Sequence, residues 1–196
     1  LIYLPEVPFD QEAFLSQVQE SLKQRPNLVV CVSEGIHDKE GRFICEYSGE
    51  AGTDTFGHKM LTGCGKYLEN LVKERLGVKV RSVELNVCQR CSTFAQSLTD
   101  AREASMAGSF GVEAALKGET GKMVSFVRAS GPNYGISCSL VDVNEVCNQE
   151  KTVPLGWITK EGTDVGQEFI DYALPLIQGN PALPMKNGLP DYAYRK

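Results

Sequence analysis

No run of apolar residues in this chain is long enough to cross a bilayer as a helix. The longest, residues 28–32 and 153–158, are the length of strands, against the roughly 18 residues that a spanning segment needs. An excess of positive charge is missing too: 20 Lys and Arg face 25 Asp and Glu, for a net charge of -5, so nothing draws the chain as a whole to nucleic acid or to an anionic membrane surface. Histidine is scarce, with only His37 and His58, so the pair Cys88-x2-Cys91 lacks the second pair of ligands that a structural zinc site requires. There is no regular cysteine framework either. The seven cysteines are odd in number and scattered, as expected of free thiols in a reducing cytoplasm. A starting methionine is also lacking, and Leu1-Ile2-Tyr3-Leu4 reads as a buried strand; the expectation is a fragment or cleaved product of a longer chain.

What is present suits a packed core: 42% of residues are hydrophobic and only 23% charged, which argues against disorder. Pro5 and Pro8 stop the first apolar run, and Asp10 is placed to cap a helix on which Phe14, Val18 and Leu22 recur every fourth position. Residues 28–32 are continuous, β-branched and apolar, the pattern of a strand buried on both faces of a parallel sheet. Residues 36–57 are polar and read as a surface excursion with a possible short strand at 43–45. A helical period then runs from Leu61 to Gly77, whose lack of a side chain suits a helix end, and a strand is expected over 78–85.

Asp100 with Glu103 three residues on resembles a capping box, opening a helix with the small-residue face Ala104, Ala107, Gly108, Gly111, Ala114 and Ala115. Two strands, 123–127 and 136–140, and a helix over 165–177 complete the pattern, with Pro175 set against that helix's last turn. Strands alternating with helices of this length argue for an α/β chain, a mainly parallel sheet with helices on both faces. In such sheets ligands lie beyond the carboxyl ends of the strands, where Glu34 and residues 86–90 fall.

A carboxylate at Glu34 can accept hydrogen bonds from sugar hydroxyls, or it is simply a solvated loop residue. Arg81, inside a strand, and Arg90, just past its end, offer planar donors suited to phosphate oxygens; equally, Arg81 can face outward or pair with Glu84, and Arg90 can sit on a surface loop. Gly63-Cys64-Gly65-Lys66 and residues 118–122 lack the full spacing of phosphate-binding loops and read as helix boundaries. Cys88-x2-Cys91 also has the spacing of a redox pair, although Ser92-Thr93-Phe94 does not clearly open a helix beside it. His58 reads as packing.

Taken in order, Val32-Ser33-Glu34-Gly35, Phe56-Gly57-His58, Leu61-Thr62-Gly63-Cys64-Gly65, residues 80–85 and Gln89-Arg90 resemble the C-terminal half of phosphofructokinases. The likeness continues through Ser97 to Asp100, Lys117 to Gly121 and residues 151–158, and so covers nearly the whole chain. Leu4 to Asp10 and residues 150–158 are most similar to the bacterial pyrophosphate-dependent members. The resemblance implies phosphoryl transfer from pyrophosphate to fructose 6-phosphate, with Glu34 on the sugar hydroxyls, Gln89 and Arg90 at the bound sugar phosphate, and Arg81 reaching the 6-phosphate of a neighbouring subunit in a homo-oligomer. It implies magnesium held mainly by residues upstream of Leu1, where the aspartate base and the donor loop are also expected. Residues 1–88 would then belong to the sugar lobe, 89–149 to the donor lobe, and 150–196 would return to the sugar lobe. Three residues before Arg90, where many members carry histidine or tyrosine, this chain has Val87. An ATP-dependent enzyme and a non-catalytic sugar-phosphate-binding module are the alternatives.

Overall fold

The carboxylate of Asp10 accepts a hydrogen bond from the N–H of Ala13 at 2.9 Å, satisfying a donor that a helix start leaves free. Helix α1 (Gln11–Gln24) follows, with Phe14, Leu15 and Val18 buried. The structure, a computed structural model, describes residues 1–49, 62–131 and 133–191. They form two compact units, Leu1–Asn86 with Thr152–Phe169, and Val87–Lys151 with Ile170–Lys196.

In the first unit, β1 (Ile2–Tyr3) pairs in parallel with β2 (Cys31–Val32), and α1 is the crossover between them. Only two of the five residues over 28–32 enter the ladder. Leu28, Val30 and Val32 are half-buried while Val29 and Cys31 are exposed, so this strand is covered on one face and not on both. Tyr3, Phe9 and Phe14 form an aromatic cluster with ring centroids 5.2 to 5.5 Å apart. Residues 36–49 are no surface excursion. Ile36, Ile44 and Cys45 are fully buried, and residues 44–48 form a 3-10 turn rather than a strand, because His37 and Phe43 pair across a short bridge and turn the apolar side chains inward. Leu61 and His58, with the Phe56-Gly57-His58 motif, lie outside the described residues.

Helix α2 (Cys64–Leu76) begins after Gly63, at φ 88°, and ends at Gly77, at φ 67°. Both are left-handed positions that glycine adopts without steric cost, so Gly63-Cys64-Gly65-Lys66 is a helix boundary. The bidentate pair of Arg75 with Glu12, 2.9 Å at each bond, ties α2 to α1. The return segment of this unit comes back beside β1, where the Ile2 N–H donates to the Thr163 carbonyl at 2.9 Å. It turns through three consecutive left-handed residues, Lys160, Glu161 and Gly162.

A Cβ on Gly162 would lie 2.6 Å from Cγ1 of Val7, at φ +95°. Gly162→Ala is therefore expected to destabilise the first unit by about 1–3 kcal/mol through backbone strain alone, with the overlap added. Gly41, at φ +81° with open space where a methyl would project, isolates the backbone part. Denaturant midpoints of the two alanine variants check this, and equal losses would remove the steric argument.

The second unit holds α3 (Asn86–Cys91), α4 (Leu98–Leu116), and the antiparallel hairpin of β3 (Lys122–Arg128) with β4 (Ile136–Asp142). Parallel pairing thus describes β1 with β2, while residues 129–135 are too few for the crossover that a parallel pair needs. Helix α4 starts earlier than the Asp100–Glu103 pattern suggests. The Ser97 hydroxyl caps it by accepting from the Asp100 N–H at 3.0 Å, and the Glu103 carboxylate instead takes the Tyr134 hydroxyl at 2.6 Å. Of the small residues on α4, Ala114 is buried, and Gly111 faces Val124 of β3 across a gap that a methyl would fill to 3.5 Å.

Residues 150–196 divide between the units. Thr152–Phe169 joins the first, but Ile170 onward belongs to the second, held there by Ser97, whose hydroxyl donates to the Leu176 carbonyl at 2.5 Å, and by the Leu98 N–H, which donates to the Gly179 carbonyl at 3.0 Å. Helix α5 (Val143–Val146) follows β4, the short hairpin β5 (Ile158–Thr159) and β6 (Asp164–Val165) lies in the return segment, and α6 (Gln167–Ala173) ends where Pro175 denies the next turn its N–H. A last hairpin, β7 (Met185–Lys186) with β8 (Leu189–Pro190), closes the described chain.

Candidate functional site

The turn that carries Glu34 is set by β1. The Ser33 N–H donates to the Tyr3 carbonyl at 3.1 Å, and the Ile36 N–H donates back to the Ser33 carbonyl at 3.4 Å. The Ser33 hydroxyl accepts from the Gly35 N–H at 3.3 Å. With Ile36 fully buried on one side, Glu34 is left at the exposed crest of a turn beyond the carboxyl end of β2. Its carboxylate has no hydrogen bond or ion pair among the described residues.

Residues 78–85 pair with no strand among the described residues. They nevertheless alternate, with Val78, Val80 and Ser82 half-buried and Lys79, Arg81 and Val83 exposed. The reason is Glu69 on α2, whose carboxylate accepts from the Ser82 N–H at 2.8 Å and the Ser82 hydroxyl at 2.5 Å, and from the Lys66 ammonium at 2.7 Å. These bonds fix one face of the segment against α2 and turn Arg81 outward. No ion pair joins Arg81 to Glu84 among the described residues. Glu84 instead lies over the first turn of α2, where its Oε1 would be 3.9 Å from a Cβ on Gly65.

Cys64, at that same turn, reports both carboxylates. Burial pushes its thiol up to about 12, and Cys45, Glu84 and Glu34 add to the rise in that order. The structure therefore brings the Arg81-bearing segment to the first turn of α2, where Ser82 and Glu84 approach Gly65. Glu69 is the residue that sequence reasoning missed. Its partner lies 13 positions away in a segment without regular pairing, and its Lys66 neighbour at i-3 marks only an ordinary helix pair.

The Lys66 and Ser82 side chains hold the Glu69 carboxyl down at about 2, from its ordinary 4.5. Because the folded value is depressed, the stabilisation is fully present above pH 4.5 and is lost as pH falls toward 2. Denaturation followed from pH 6 to pH 2 should show the native chain losing stability over this window more steeply than Glu69→Gln. Parallel curves would mean that Glu69 does not secure the segment.

Gln89 and Arg90 belong to the second unit, on α3, a helix where sequence reading expected a strand end. It opens on Asn86 in the left-handed region, at φ 43°. Arg90 occupies the last turn, where a cation complements the helix dipole. It makes no hydrogen bond or ion pair among the described residues, and every residue from Val83 to Gln96 is exposed, with Val87 at 66%. Among the described residues, then, Arg81 of the first unit and Arg90 of the second are both without a partner, as is the carboxylate of Glu34. Cys88 and Cys91 are free and exposed. Among the described residues no group of three or more His, Cys, Asp and Glu side chains is placed to hold a metal ion.

No protein-family model matches the chain. Solved structures and curated sequences do. The pyrophosphate-dependent phosphofructokinase of Nitrosospira multiformis superposes with a TM-score of 0.78 at 30% identity, over 98% of this chain and 44% of that one. That of Marinobacter aquaeolei gives 0.75 at 32% identity, over 95% and 42%. The fold is the α/β fold of phosphofructokinases, and the likeness to these pyrophosphate-dependent enzymes runs over nearly the whole of this chain. In sequence it is 38% identical over 192 residues to the pyrophosphate–fructose 6-phosphate 1-phosphotransferase of Methylococcus capsulatus, covering 98% of this chain and 45% of that protein. The chain spans about half the length of the curated relatives it matches.

Proposed function

We propose that the polypeptide carrying this chain transfers a phosphoryl group from pyrophosphate to the 1-hydroxyl of fructose 6-phosphate, giving fructose 1,6-bisphosphate, and that this chain supplies the sugar-phosphate site. The observation that carries the proposal is the continuous match to pyrophosphate-dependent relatives across 98% of the chain, which runs through the segments bearing Glu34, Arg81 and Arg90. In this reading Glu34, at the crest of its turn, accepts hydrogen bonds from sugar hydroxyls, and Arg90 with Gln89 donates to the sugar phosphate. Arg81, turned away from α2, reaches the 6-phosphate of a second subunit in a homo-oligomer. A guanidinium suits this work because it stays charged and offers donors in a planar fork.

Phosphoryl transfer needs positioning and charge stabilisation more than covalent chemistry from the protein, and this chain's part in that work is to fix the acceptor. Magnesium belongs to the proposal as the donor's counter-ion. The described residues do not form a site for it, so no step is assigned through it, and no residue of the chain is assigned as base. The lobe membership implied by the resemblance goes with the same proposal: residues 1–88 in the sugar lobe, 89–149 in the donor lobe and 150–196 returning to the sugar lobe, with Gln89 and Arg90 still at the sugar phosphate. A cytoplasmic location goes with the same proposal and rests on the resemblance alone; separately, no helix among the described residues is long and apolar enough to cross a membrane.

The test is phosphorylation of fructose 6-phosphate by the intact polypeptide with magnesium and either pyrophosphate or ATP. Turnover with pyrophosphate supports the proposal, and turnover with ATP alone overturns the donor. Folded protein inert with both, yet binding fructose 6-phosphate, would be a sugar-phosphate-binding module.

A further inference from the structure

Cys88 and Cys91 are a feature that sugar-phosphate binding does not use. Both lie on α3, three residues apart, and both are free and exposed. In an α-helix residues i and i+3 share a face. The helical rise and radius separate their Cα atoms by about 5 Å, inside the span of roughly 4.4–6.8 Å that a disulfide bridges. The other described cysteines are differently placed: Cys45 and Cys64 are buried, Cys31 is on β2, and Cys138 and Cys147 follow the hairpin turn.

We propose that Cys88 and Cys91 are a reversible dithiol–disulfide pair, a modification site for low-molecular-weight disulfides, whose closure orders the helix that carries Gln89 and Arg90. The thiolate of one cysteine attacks the small disulfide, forms a mixed disulfide and expels one small thiol. The thiolate of the second then attacks the protein-side sulfur, forms the Cys88–Cys91 bond and expels the second small thiol. The two protein thiols give up two electrons and two protons, which appear on the two small thiols, and an excess of small dithiol reverses both steps. Closure matters for this helix because one of six residues is far below the length at which helices persist by themselves, and residues 83–96 are exposed throughout. A covalent bond across one turn supplies the constraint that packing does not.

The experiment treats the intact, full-length polypeptide with oxidised glutathione, blocks remaining thiols, and reads peptides by mass spectrometry. Amide hydrogen exchange over residues 86–91 is compared between oxidised and reduced protein. The expected result is a peptide with Cys88 and Cys91 lighter by two hydrogens, restored by dithiothreitol, with slower exchange of the α3 amides when closed. In Cys88→Ser and Cys91→Ser the remaining cysteine should stop at the glutathione adduct. Unreacted thiols, adducts on both cysteines without a bond between them, bonds to Cys31 or Cys147, or exchange unchanged by closure would each overturn the proposal. Neither readout involves fructose 6-phosphate, so failure here is separate from failure of the proposed activity.

Discussion

Arg90→Ala is expected to weaken fructose 6-phosphate binding by about 1.5–3 kcal/mol, the scale for losing a charged hydrogen-bond partner, or roughly 10- to 150-fold in half-saturation. The guanidinium is at the end of a six-residue helix with no partner among the described residues, so removing it leaves no orphaned acceptor there. A purely structural Arg90 would act through the helix dipole, worth only about 0.3–1 kcal/mol of stability, and would leave sugar affinity alone. The two roles therefore separate on two measurements: half-saturation for fructose 6-phosphate in the intact polypeptide, and a denaturation midpoint. Arg90→Lys sharpens the test. It keeps the charge but loses the planar fork, so affinity should fall between that of the native chain and that of Arg90→Ala. Half-saturation unchanged in both variants would remove Arg90 from the site.

Helix α1 was legible in the sequence because its signals are local: a capping Asp10 and apolar residues one turn apart. Gly77 at the end of α2 was legible for the same reason, as a left-handed position close to a periodic run. Elements that depend on distant partners were not. Residues 28–32 and 78–85 have the composition of strands, but a ladder requires neighbours that composition cannot supply. Of these, only Cys31–Val32 finds one among the described residues, and 78–85 is held by side-chain bonds to Glu69. Helix α3 was missed because Asn86 begins it in a left-handed conformation and no apolar period marks six exposed residues. Of the candidate site, Glu34 and Arg90 were visible as polar residues after apolar runs. The tie from Glu69 to Ser82, which decides where Arg81 points, has no local signature.

Phe14→Ala is expected to have the largest effect on stability, about 3–5 kcal/mol. Phe14 is 2% exposed and packs edge-on to Tyr3 and tilted against Phe9, contacts that add to the area term. That loss is a large fraction of the roughly 5–15 kcal/mol that holds an ordinary domain together. The single tryptophan, Trp157, belongs to the first unit, so its fluorescence during denaturation follows the unit in which Phe14 lies. Phe126→Ala in the second unit, at 49% exposure, should leave that transition nearly unmoved. The same substitution connects core to site: Tyr3 packs on Phe14, and its carbonyl accepts the Ser33 N–H that starts the Glu34 turn. At denaturant concentrations just below its midpoint, Phe14→Ala should lose fructose 6-phosphate binding in step with its tryptophan signal. Binding that outlasts the signal would show that the Glu34 turn does not depend on this core.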